Sequence, residues 1–137
     1  MSNSITGGCQ CGAVHYHCDA EPLFMGNCHC RDCQRSTGGA YAPMLGVPAP
    51  ALKINGHMKF YESRANSGNV VTRGFCSNCG GRVFAKSTGY PTIIEIYAGT
   101  LDNPSIFKPA EDIYTSSAQP WDFMNPQLRK FAKQPAS

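Results

Sequence analysis

Seven of the eight cysteines stand in three tight groups, Cys9-x-Cys11, Cys28-x-Cys30-x-x-Cys33 and Cys76-x-x-Cys79. A disulfide needs a narrow range of Cα separation and facing Cβ vectors, whereas a metal gathers thiolates from short turns. The spacing therefore points to metal, with zinc as the first hypothesis. Seven ligands divide into four and three. Four sulfurs close a structural zinc, while three leave one coordination position for water or substrate. The count predicts two zinc ions per chain, one structural and one reactive.

Position sorts the ligands between them. Cys9, Cys11, Cys76 and Cys79 lie on glycine-flanked turns, each pair beside a strand-like segment, so the two pairs can share the closed, structural site. The remaining triplet, Cys28, Cys30 and Cys33, is then self-contained, and it is the group expected to hold the reactive metal. Residues 29–37 can form about two helical turns before Gly38 and Gly39 end them, with Cys30 and Cys33 on one face and Cys28 just ahead. The helix dipole favours thiolate at that start.

Strands must position both sites. Residues 13–18 alternate, with Val14, Tyr16 and Cys18 on the apolar face. Residues 41–47 read as a strand that Pro43 confines to an edge or an irregular position. Pro48 and Pro50 break it, and Leu52 to Ile54 read as a short turn. Residues 58–62 alternate again, and residues 69–75 run straight into Cys76-x-x-Cys79 as strand, knuckle, strand, with glycine after the second cysteine supplying a positive φ. Residues 92–98 are the strongest buried strand, and 111–115 read as the last one. The tail, with Trp121 and Phe123 and then Gln127 to Phe131, reads as a docking segment or a short helix. Tyr16, Phe60, Phe75, Phe84, Ile94 and Ile96 are expected in the core. The expected fold class is mainly β, with zinc sites at strand-end turns and little helix.

Composition agrees. Fourteen glycines and ten prolines with only 15% charged residues suit short strands and tight turns. With 137 residues and no repeat or low-complexity tract, residues 1–137 read as a single zinc-binding domain. A net charge of +3, with scattered Lys and Arg, argues against a nucleic-acid partner and leaves a small-molecule one. No basic-then-apolar leader is visible, and no run approaches the ~18 apolar residues of a membrane span. A cytoplasmic compartment with reduced thiols and no membrane partner is expected.

Other readings compete at the triplet. A second structural zinc would be completed by Cys18, His15, His29 or His57, and would make the chain a non-catalytic module that meets protein or nucleic acid. Redox work by Cys30-x-x-Cys33 lacks its usual βαβ context. An iron–sulfur cluster needs a fourth cysteine, and only Cys18 is free. Cys18, in register with Val14 and Tyr16, fits a small buried hydrophobe. His15 and His17 share a strand face, where surface or packed histidines are commoner than ligand pairs. Arg31, Arg35, Arg64, Arg73 and Arg82 read as solvated charges. Arg31, Arg35, Arg73 and Arg82 alternatively sit close enough to the cysteines to bind a carboxylate near the metal.

The segments Gly7-Gly-Cys-Gln-Cys-Gly-Ala-Val14, Cys28-His-Cys-Arg-Asp-Cys-Gln-Arg35, Phe75-Cys-Ser-Asn-Cys-Gly80 and Ala98-Gly-Thr-Leu-Asp102 together resemble the glutathione-dependent formaldehyde-activating enzyme family, which includes the centromere protein V-like proteins. The resemblance runs from about Gly7 to Trp121. It implies an Mss4-like fold with zinc at its edge. It also implies a structural zinc on Cys9, Cys11, Cys76 and Cys79 and a catalytic one on Cys28, Cys30 and Cys33. The implied activity is formation of S-hydroxymethylglutathione from glutathione and formaldehyde, a carbon–sulfur lyase reaction. The chain departs from the family's named glutathione enzymes in being shorter and in carrying Cys18.

Overall fold

Short apolar runs punctuated by glycine and proline fold as two β-sheets and one short helix. The computed structural model describes residues 4–134. In chain order the elements are β1 (Ile5–Gly8), β2 (His15–Cys18), β3 (Phe24–Cys28), α1 (Arg31–Thr37), β4 (Ala42–Pro48), β5 (Leu52–Asn55), β6 (Met58–Arg64), β7 (Val70–Cys76), β8 (Arg82–Ser87), β9 (Ile93–Tyr97), β10 (Glu111–Ile113) and β11 (Arg129–Lys130). Strands β1, β2 and β5 make a three-stranded antiparallel sheet in the order β1-β2-β5. The other eight form one sheet in the order β11-β10-β3-β4-β9-β8-β7-β6, with β10 parallel to both its neighbours. The fold is mainly β, with cysteine clusters at strand-end turns. No helix among the described residues is long and apolar enough to cross a membrane.

Period-two alternation gives the large sheet two different faces. One face carries Leu45, Val47, Phe84 and Ile96, which pack with Ile5, Val14, Tyr16, Cys18 and Leu52 of the small sheet to form the main core. On the opposite face a second apolar cluster contains Cys28, Cys33, Ala42, Met44, Ala85 and Tyr97. Helix α1 covers part of that face, and Gly38 ends it in the left-handed region (φ 76°) with its N–H on the Gln34 carbonyl.

Several elements depart from the sequence reading. Strand β4 is interior, flanked by β3 and β9, despite Pro43. The register with β9 begins at Met44 opposite Tyr97, so Pro43 pairs only with Asn27 of β3 and its missing N–H removes no bond on the β9 side. Leu52 to Ile54 belong to strand β5, not a turn, because Leu52 and Ile54 both pack on the core through pairing with β2. The chain gains a strand at each end: Ile5–Gly8, and Arg129–Lys130 beyond the strand read as last. The tail forms no helix, and Trp121 and Phe123 are exposed. Phe60 is exposed too, since β6 is an edge strand, and Phe75 is half-buried under the Arg82 guanidinium, 5.2 Å from its ring centre.

Gly7 packs tightly against Tyr16 of the neighbouring strand and the backbone of Thr100. A Cβ there would lie 2.3 Å from the Thr100 carbonyl oxygen and 2.2 Å from the Tyr16 hydroxyl, which itself hydrogen-bonds Thr100 Oγ1 at 2.7 Å. Backbone cannot move aside as a side-chain tip can. Gly7→Ala is expected to lower stability by about 1–3 kcal/mol, the usual cost of overpacking. Urea unfolding should show a lower midpoint with an unchanged slope.

Candidate metal centres

The first cysteine group is built from two turns on different sheets. Cys9 and Cys11 follow β1, while Cys76 ends β7 and Cys79 precedes β8. Gly12 (φ 81°) and Gly80 (φ 76°) supply the left-handed residue after each pair, as expected for a knuckle. The four sulfurs lie within 4.8 Å of one another. Cys9–Cys11 and Cys11–Cys76 are 3.7 and 3.8 Å apart. Sulfurs about 2.3 Å from a tetrahedral zinc are separated by about 3.8 Å, so the set has the right size.

Every sulfur of this group also meets an N–H donor. Val14 N donates to Cys9 Sγ (3.2 Å), Asn78 Nδ2 to Cys11 Sγ (3.4 Å), Asn78 N and Cys79 N to Cys76 Sγ (3.3 and 3.4 Å), and Gly81 N to Cys79 Sγ (3.4 Å). Donors of this kind favour thiolate. The Asn78 amide lowers the Cys11 pKa, and backbone donors bring Cys79 down to about 6.

The second group joins the end of β3 to the start of α1. Cys28 is the last residue of β3, Cys30 caps α1 with its sulfur accepting from Cys33 N at 3.3 Å, and Cys33 stands one turn in. Cys28 and Cys33 are buried and Cys30 partly so, with the three sulfurs within 4.8 Å. Among the described residues no fourth Cys, His, Asp or Glu joins them. Hydrogen bonding from Cys28 and Cys33 pushes the Cys30 pKa far down, while the same contacts push Cys28 and Cys33 up. One thiolate is favoured there, with the charge of Arg73 contributing, while the other two thiols are disfavoured as thiolates. A soft divalent cation matches this donor set.

The candidate closing ligands lie elsewhere. Cys18 is fully buried in the main core, on the other face of the large sheet, as a small hydrophobe. His15 and His57 are exposed. His29 is fully buried and its ring is fully occupied: Nε2 lies 2.8 Å from Asp112 Oδ1, and Nδ1 hydrogen-bonds Asp122 Oδ2. Asp112 further receives Lys130 Nζ (2.8 Å) and Asn27 Nδ2 (3.1 Å). Burial would raise Asp112, but these hydrogen bonds from Lys130, His29 and Asn27 outweigh it and lower its pKa.

Sequence proximity misplaced the arginines. Arg31 bonds Gln34 Oε1, Arg35 is exposed, and Arg82 donates to the Ser36 carbonyl at 2.9 Å. Arg73 is the one buried at the triplet face, not a solvated charge, and its guanidinium lies beside Tyr97 and Cys33. Burial would lower its pKa, and interaction with Tyr97 and Cys33 more than compensates.

The register Arg73–Ala85–Glu95 sets Arg73 and Glu95 on the same face, two strands apart across the small Ala85 side chain. Burial lifts Glu95 to about 7, with Arg73 opposing and Cys30 adding. Tyr97, also on this face, is raised first by burial and then by Cys33. Tyr114 closes the surroundings. It packs beside the second cluster in the left-handed region (φ 56°), the only non-glycine positive φ among the described residues. Such a conformation costs roughly 1–3 kcal/mol, and in other proteins concentrates at functional sites. Glu95, Tyr97, Asp112, Tyr114 and Asp122 were not singled out from sequence. The only available signal was Glu95, a lone carboxylate inside an apolar strand.

A profile of the family described as glutathione-dependent formaldehyde-activating enzyme matches residues 4–117. A Halomonas elongata protein named "Putative glutathione-dependent formaldehyde-activating enzyme" is 26% identical over 115 residues, covering 80% of this chain and 73% of that protein. A crystal structure of a Rhodobacter sphaeroides protein shares the fold with a TM-score of 0.59 at 18% identity, covering 92% of this chain and 98% of the other.

Glu95 makes stability fall with pH. Its folded pKa is raised, so between its usual 4.5 and about 7 the unfolded chain gives up a proton that the folded one retains. Wild type is expected to lose stability across that window and level off above it. Glu95→Gln should flatten this part of the profile and be the more stable protein at pH 8, as measured by urea midpoints at a series of pH values.

Proposed function

Because the chain belongs to the glutathione-dependent formaldehyde-activating enzyme family, we propose that it adds a small thiol, glutathione by the family's description, to formaldehyde at the cluster of Cys28, Cys30 and Cys33. The product is S-hydroxymethylglutathione, and the chemistry is of the carbon–sulfur lyase type. The observation that carries this reading is the three-sulfur donor set, which has no fourth protein ligand among the described residues. In the same reading Cys9, Cys11, Cys76 and Cys79 hold a structural zinc.

Cys28, Cys30 and Cys33 would hold the zinc, which would supply an electrophilic centre favouring the deprotonated, nucleophilic form of a thiol near neutral pH. The chain's own residues do the rest. Cys30, fixed as the cap of α1, and Cys28, fixed at the end of a paired strand, hold their sulfurs in place before any ligand arrives. Ala42, Met44 and Tyr97 wall the site with apolar surface and limit water. His29 neither binds metal nor moves a proton in the reaction, since Asp112 and Asp122 occupy both its nitrogens.

Purified protein is expected to contain two zinc per chain by elemental analysis. Cys76→Ala should unfold the chain, because a structural zinc contributes folding energy outright. Cys30→Ala should retain the fold by circular dichroism and carry one zinc. Glutathione added to cobalt-substituted wild type should shift the thiolate-to-metal charge-transfer band, and the shift should vanish in Cys30→Ala. Equal loss of stability in the two variants, or no spectral change with any thiol, would mean that both metals are structural.

A further inference from the structure

Two side chains on the triplet face are deeply buried and each carries a polar atom without a hydrogen-bond partner. Arg73 is 6% exposed; its Nη1 donates to Ser63 Oγ at 3.2 Å, but its Nε has no partner. Tyr97 is 5% exposed, and its hydroxyl comes near Ser36 and Arg73 without a directional bond to either. Leaving a buried donor without an acceptor is destabilising. Two such atoms on neighbouring side chains mark a place where an acceptor is missing.

That place adjoins the reactive cluster. Tyr97 packs with Cys28 and Cys33, and the Arg73 guanidinium lies against Tyr97 and Cys33. Arg73 and Glu95 stand two strands apart, about 10 Å between Cα atoms, with only the Ala85 methyl between them on this face. Ala85 thus leaves room for the guanidinium.

Taking the triplet as the thiol site, as read above, we propose that Arg73 and Tyr97 are an oxyanion site for the aldehyde oxygen. A thiol sulfur at the triplet puts the aldehyde carbon one bond away and its oxygen two, within reach of donors that touch Cys33. The carboxylates of glutathione are many bonds from its sulfur and suit the exposed rim instead. As the sulfur lone pair forms the C–S bond, the C=O π pair moves onto oxygen, and Arg73 and Tyr97 donate hydrogen bonds to the alkoxide. Water then protonates it, replacing the proton that the thiol released to water on binding. Thiol and aldehyde become the hydroxymethyl thioether, with nothing oxidised or reduced. A tyrosine is ordinarily a hydroxyl, and hence a donor, at neutral pH.

The test uses full-length, zinc-loaded wild type, Tyr97→Phe and Arg73→Gln. Glutathione affinity is read by calorimetry, thermal midpoint by scanning, and the rate of hydroxymethylglutathione formation by exchange NMR with ¹³C-formaldehyde. Both variants are expected to bind glutathione within about twofold of wild type and to lose roughly 10–100-fold in catalysed rate. Tyr97→Phe should melt at or above the wild-type temperature, because it deletes an unpaired buried hydroxyl. Unchanged rates would overturn the inference. So would a loss of affinity of about tenfold or more with the saturated rate intact, which would make the pair a carboxylate holder. If Arg73→Gln does not fold, Tyr97→Phe decides. A wild type that binds glutathione without accelerating the reaction defeats the functional reading itself, and the inference with it.

Discussion

The mutual repulsion of gathered thiolates governs this structure. Seven sulfurs converge in two groups whose members lie within 4.8 Å, and neither group can ionise fully unless a cation neutralises it. In the first group this requirement is also a joint. The Cys9 to Cys11 turn belongs to the small sheet and the Cys76 to Cys79 knuckle to the large one, so a cation there binds the two sheets at the edge of their shared core. The N–H donors on all four sulfurs come from the turn backbones and one asparagine, so the conformation that makes the turns also stabilises the charge.

The second group depends on the alternation of one strand. Ile94 and Ile96 of β9 face the main core, and this sets Glu95 and Tyr97 on the opposite face. A one-residue slip would exchange the two sets. Burial of the apolar face therefore fixes the address of the polar one. Arg73 reaches the same face through the register of β7 on β8 and β8 on β9, and a bulge after Gly74 lets the knuckle begin without disturbing it.

Cysteine spacing made the ligand groups legible because each group is local, set by a turn or by one helical turn. The mainly β class was legible for the same kind of reason, since alternation and turn residues act over a few positions. What the sequence concealed is non-local. Pro43 reads as an edge residue until the end of β9 is known, and Leu52 to Ile54 look like a turn until β2 supplies their partner. Arg73 could not be told from Arg82 by distance from a cysteine, because burial depends on which face of an eight-stranded sheet a side chain takes. His29 shows the converse, a sequence neighbour of Cys28 and Cys30 whose side chain is committed elsewhere.

That commitment explains how the end of the chain is held. Residues 118–131 bring little apolar burial, with Trp121 and Phe123 exposed, so hydrophobic packing cannot fix them. Polar contacts do it instead: Asp122 on His29, Lys130 on Asp112, and the Phe131 N–H on the Asp112 carbonyl at 2.9 Å. Buried charges hold a structure only when their partners are all present, and removing one leaves the others uncompensated. His29 lies between Cys28 and Cys30, so the backbone that carries two cysteines of the triplet is also the anchor of the tail. The strained Tyr114, which follows β10, is pinned from the same side by the Lys133 and Phe131 carbonyls through its own and the Thr115 N–H. The tail thus reaches the site through one imidazole and one strand, and its attachment and the position of Cys28 and Cys30 form a single mechanical unit.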